Sequence, residues 1–165
     1  CDFLIATGKD LTEEIANSTE YSEKPYADER IVYSTAPNCL QHPGKFHLIP
    51  YSVQMNAGAM AVYMACFDKH KSIYMLGYEG QKGGEGYNSN MYAGSPGYMP
   101  KNHTVSSTKW EASMCQIFGA YPDISFTLVD NNTNGYPDTY KWYKNVRYLP
   151  YREFIQELDI GSFKH

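Results

Sequence analysis

The chain has 165 residues, 42% hydrophobic and 19% charged, with 14 Lys and Arg against 18 Asp and Glu for a net charge of −4. That is enough apolar material for one globular domain with its own core, and too much for a disordered chain. The acidic balance and the absence of a clustered Lys/Arg stripe exclude a nucleic-acid binder, and no apolar run reaches the roughly 20 residues of a membrane span.

The chain opens at Cys1-Asp2 without an initiator Met or a signal peptide and runs straight into strand-like residues. It reads as a processed chain or an N-terminally trimmed fragment. Its four cysteines have no paired metal spacing, and Cys66 and Cys115 fall inside helical patterns. Reduced, buried thiols and a cytoplasmic location follow as expectations.

Residues 2–6 (DFLIA) predict a short buried strand, and residues 10–15 (DLTEEI) a helix start with an acidic first turn. Residues 30–34 (RIVYS) predict a second strand, followed by a loop punctuated by Pro37 and Pro43-Gly44. Residues 46–51 (FHLIPY) predict a third, ended by Pro50. From residue 57 to 67 every position is apolar or small, the pattern of a helix buried all round. Lys69-His70-Lys71 fits its cationic end.

Residues 72–77 (SIYMLG) predict a fourth strand. Residues 80–105 form a long Gly-, Asn- and Tyr-rich loop, a length that in a compact domain usually accompanies function. A helix is expected over 109–118 behind the N-cap Ser106-Ser107-Thr108, with Trp110, Met114, Ile117 and Phe118 on its apolar side. Strands over 124–129 and 146–149 and a helix over 151–158 complete the chain. Apolar strands alternating with helices argue for one three-layer, Rossmann-like α/β domain over residues 1–165, with a mainly parallel central sheet.

In such sheets ligands sit beyond the carboxyl ends of the strands, near helix N-termini. Asn56-Ala57-Gly58 stands where the chain turns into a helix, so its backbone N–H groups suit a phosphate. Gly77-Tyr78-Glu79 ends the next strand, where a carboxylate can accept from a ribose hydroxyl or a base amino group. Small residues at both places also suit plain helix–sheet contact. The glycines at 83, 84 and 86 precede no helix and match neither the dinucleotide fingerprint nor the P-loop. His103, just before a helix N-cap, has the chemistry of a general base, although on position alone an ordinary surface histidine fits better. Sixteen tyrosines are an excess for this length. Those in the loop offer rings for stacking and hydroxyls for phosphate, or serve only to hold the loop down.

The run from Asn56-Ala57-Gly58 through the apolar helix to Ser72-Ile73-Tyr74-Met75-Leu76-Gly77-Tyr78-Glu79 resembles the bacterial lipooligosaccharide sialyltransferases. More loosely, it is similar to motility-associated flagellin glycosyltransferases and archaeal hydroxymethylpterin diphosphokinase-like proteins. The sialyltransferases carry Ser-Gly at the helix start and a strand ending Gly-x-Asp. The resemblance implies a CMP-sugar donor, a carbohydrate acceptor and an inverting transfer with neither metal nor cofactor. By the same resemblance His103 deprotonates the acceptor and Tyr87 contacts the leaving phosphate. Asn56, Ala57 and Gly58 cradle the nucleotide, and Gly77 and Glu79 form the glycine–acid motif.

The chain departs from the family at several positions. Ala57 replaces its serine, Glu79 its aspartate, and Gln81 stands at a phosphate-binding tyrosine for which Tyr92 is the substitute. Its opening Gly-Asn-Gly-Pro-Ser turn has no counterpart, so Cys1 is expected to enter the fold after that unit. Two functions stay open: a sialyltransferase-like glycosyltransferase, or a non-catalytic module that kept the fold and binds carbohydrate or protein. An unpaired strand edge where the first unit would sit predicts a homo-oligomer.

Overall fold

A computed structural model describes residues 3–18, 31–50, 55–78, 107–131 and 136–162. It is a mixed α/β fold of the Rossmann-like kind, with every strand pair parallel. The elements follow as β1 (Phe3–Ile5), α1 (Lys9–Asn17), β2 (Ile31–Ser34), α2 (Ala36–Gln41), β3 (His47–Leu48), α3 (Ala57–Phe67), β4 (Ser72–Leu76), α4 (Ser107–Ala120), β5 (Ser125–Val129), a 3₁₀ turn (Asp138–Trp142), β6 (Val146–Leu149) and α5 (Tyr151–Ser162). The strands form two sheets, ordered β1-β2-β3 and β4-β5-β6. The chain divides into two compact units, residues 1–64 and 65–165.

In the first unit, Leu4 pairs with Val32 and Tyr33 with His47. Ala6, Ile15, Ala16, Val32 and Phe46 form its buried cluster, with Leu4 and Cys39 against it. Asn38 ties the loop after β1 to α2: its side-chain amide donates to the Thr7 carbonyl at 3.2 Å and to Ser34 Oγ at 3.0 Å. Helix α2 occupies part of the stretch that Pro37 marks as loop. Proline in the first turn removes only an N–H that a helix start leaves unpaired, so Thr35-Ala36-Pro37 opens a helix as readily as it breaks one. Strand β3 is only two residues long, and the loop claims the rest of residues 46–51 that is described.

Helix α3 matches the expected apolar run residue for residue, and none of its positions from 57 to 66 is exposed. Its end carries a double closing bond. His70 N donates to the Ala65 carbonyl at 3.2 Å and Lys69 N to the Cys66 carbonyl at 3.0 Å, with Lys69 in the left-handed region at φ 65°.

The second unit is three layers deep. On one face of the sheet, Phe126 and Leu128 of β5 are fully buried under α4 and the 3₁₀ turn. Phe118 of α4 stacks on Phe126 at 4.9 Å and meets Tyr140 edge-on at 5.2 Å. On the other face, Tyr74, Thr127 and Arg147 stand in one row across β4, β5 and β6 and meet α5. Asn145, just ahead of β6, donates to the Phe118 and Tyr121 carbonyls at 3.1 and 3.0 Å, tying the end of α4 to the start of β6. Among the described residues no helix is long and apolar enough to cross a membrane.

Candidate functional site at the carboxyl ends of the strands

Of the residues singled out in the sequence, Asn56, Ala57, Gly58 and Gly77 are described; Glu79, Tyr87, Tyr92 and His103 lie outside the described residues. Asn56 is the N-cap of α3. Its Oδ1 accepts from Ala59 N at 2.9 Å, and its carbonyl accepts from Met60 N at 2.9 Å. An asparagine here folds the helix start by itself, because its carboxamide satisfies one of the donors a helix start leaves unpaired. A phosphate at this point therefore finds the Ala59 donor already engaged. All three residues, Asn56 to Gly58, are half-buried.

Gly77 lies in the second unit, one residue past β4, at φ 76°. That backbone is strained for any residue with a Cβ, and a Cβ built there meets nothing within 4 Å. The glycine serves chain direction rather than close approach of a neighbour. It turns the chain so that Tyr78 lies edge-on to Trp110 of α4, with ring centroids 5.6 Å apart.

The three strands of this sheet end level. Leu76 pairs with Val129, and Val129 with Leu149. Immediately beyond β5 comes Asp130, 9% exposed, whose N–H donates to the Leu149 carbonyl at 3.1 Å. Asn131 follows and caps α5, its Oδ1 accepting from Tyr151 N at 3.2 Å. Strand alternation puts Asp130 on the same side as Phe126 and Leu128, the side covered by α4 and the 3₁₀ turn.

In the same unit Tyr136 and Tyr148 lie with their rings 5.3 Å apart, and Tyr140 is fully buried. Glu111 of α4 accepts from Thr139 Oγ1 at 2.6 Å, and the Cys115 thiol points at the same hydroxyl. Trp110 Nε1 and the Tyr148 hydroxyl are buried without a hydrogen-bond partner among the described residues.

Electrostatics gives these phenols one shared property. Burial pushes Tyr78 up to about 12. Burial also raises Tyr140, with the nearby Cys115 and Glu111 adding to the shift, and raises Tyr148, with the Asp138 charge adding. All three hydroxyls are protonated at neutral pH, which leaves each a proton to donate and none the character of a base. Trp110 Nε1 and the Tyr148 hydroxyl supply donors and Asp130 stands directly beyond β5, a combination that suits a hydroxyl-rich ligand. Among the described residues, no group of three or more His, Cys, Asp or Glu side chains is placed to hold a metal ion.

Sequence reasoning passed over Asp130. The signal was present: Asp130-Asn131 ends strand β5 as Tyr78-Glu79 follows strand β4, so the argument that selected Glu79 applies to it equally. The contributions of Glu111, Tyr136 and Tyr148 depend on which helix and turn cover that face, and no local pattern announces this.

No family model, no curated protein and no solved structure matches this chain.

Proposed function

We propose that the chain is a glycosyltransferase-like protein that takes a nucleotide sugar of the CMP type, with the carboxyl end of the β4-β5-β6 sheet contributing to the ligand site. The observation that carries the reading is Asp130: a buried carboxylate directly beyond the central strand of a parallel sheet, the position at which such sheets hold ligands. The protonated tyrosines of the same unit suit sugar and ribose hydroxyls. In this reading His103 is the general base, Tyr87 and Tyr92 contact the leaving phosphate, Glu79 belongs with Gly77 at the strand end, and transfer inverts the sugar without a metal.

We propose a reducing, cytoplasmic compartment. Among the described residues Cys39, Cys66 and Cys115 form no disulfide, and burial pushes the Cys66 thiol up to about 12, which keeps it a protonated core group.

A specific observation favours the second reading, a non-catalytic carbohydrate- or protein-binding module. Asn56 spends its side chain on capping α3, which occupies the Ala59 donor that a phosphate at that helix start would use. Release of CMP from CMP-sialic acid, assayed with a panel of hydroxyl acceptors, separates the two. The transferase reading expects turnover that His103→Ala lowers by about 10²–10⁴-fold with the fold intact. Absence of CMP release from the wild-type chain leaves the binding module.

A further inference from the structure

We draw no further inference here: the strongest candidate, the cluster of Trp110, Glu111, Tyr136 and Tyr148 over the carboxyl end of β5, belongs to the site already described, and no second observation among the described residues gives it a ligand of its own.

Discussion

Arg147 and Glu157 meet fork to fork: Nη1 donates to Oε1 at 2.9 Å and Nη2 to Oε2 at 2.8 Å. Two neighbours complete the clamp. Arg147 Nε donates to Thr127 Oγ1 at 2.9 Å, and the Tyr74 hydroxyl donates to Glu157 Oε2 at 3.0 Å. The Glu157 carboxylate thus joins α5 to β6 and β4, and Arg147 carries the link on to β5, while Tyr74 and Phe154 add a ring contact at 5.2 Å.

The clamp makes the attachment of α5 sensitive to acid. Hydrogen bonding from Arg147 holds the Glu157 carboxyl below the usual range, with Tyr74 helping. A depressed carboxyl stabilises the fold above its unfolded value and loses that stabilisation as pH falls through its folded value. The pair is partly exposed, so the effect is small and screened by salt. Urea denaturation from neutrality into the carboxylate range should show a steeper acid loss for wild type than for Glu157→Gln, and hydrogen exchange should place the difference in α5. Equal acid sensitivity in both proteins would mean that the clamp contributes nothing.

Lys69 and Gly77 bracket β4 with the same backbone and opposite suitability. Both have positive φ, 65° and 76°, but only one is a glycine. A left-handed residue with a Cβ costs about 1–2 kcal/mol, and the greater freedom of glycine in the unfolded chain offsets about 0.4–1 kcal/mol of that. Lys69→Gly should therefore stabilise by about 0.5–1 kcal/mol and Gly77→Ala destabilise by a similar amount, both measured by urea midpoints at unchanged slope. A stabilised Gly77→Ala protein would show that the turn after β4 relaxes without cost.

Asn56 separates capping from ligand binding. Asn56→Ala should cost about 0.5–2 kcal/mol, whereas Asn56→Asp keeps a capping oxygen and most of the stability. Aspartate also places a negative charge where a phosphate would approach. If the helix start holds phosphate, the aspartate variant should melt like wild type and bind CMP several-fold more weakly. Equal CMP binding by both proteins leaves Asn56 a cap and nothing more.

The apolar run of α3 and the strands β4, β5 and β6 were legible because their signals are local: period, length and flanking glycine or polar breaks. Val146–Leu149 and Ala57–Phe67 fall where pattern placed them. Helix α2 was not legible, because Pro37 is read as a breaker unless it is recognised as a first-turn residue. The 3₁₀ turn hides for a related reason, since Asp138–Trp142 has no apolar period and Tyr140 is buried by the Phe118 it meets from α4. The site divides the same way. Gly77 is a local requirement visible from sequence, while the bond from Thr139 to Glu111 joins residues 28 positions apart, which no local pattern announces.

The core of the second unit yields a direct test. Phe118 is 1% exposed and touches Phe126, Tyr140 and Tyr143 with its ring. Phe118→Ala removes that apolar surface and leaves a cavity, so it should cost about 3–5 kcal/mol. Leu48→Ala, at a position 55% exposed, should fall within about 0.5 kcal/mol of wild type. Comparable losses in the two variants would mean that Leu48 is covered in solution.

The last prediction concerns affinity. A helix start contributes about 0.3–1 kcal/mol toward an exposed anion, and one hydrogen bond to a charged group such as Asp130 about 1.5–3 kcal/mol. Each alone falls short of the about 4 kcal/mol of a millimolar complex, and far short of the about 8 kcal/mol of a micromolar one. CMP should therefore bind no tighter than the millimolar range. The chain has two tryptophans, and Trp142 is 79% exposed, so Trp142→Phe leaves Trp110, against Tyr78, as the fluorescent reporter of the site. In that background CMP should shift Trp110 emission weakly and saturate only at millimolar concentration, and Asp130→Asn should weaken the response about tenfold or more. Micromolar binding that Asp130→Asn leaves unchanged would move the donor site away from this end of the sheet. Micromolar binding that Asp130→Asn abolishes would put the donor site at this end of the sheet and give the transferase reading the donor affinity it needs.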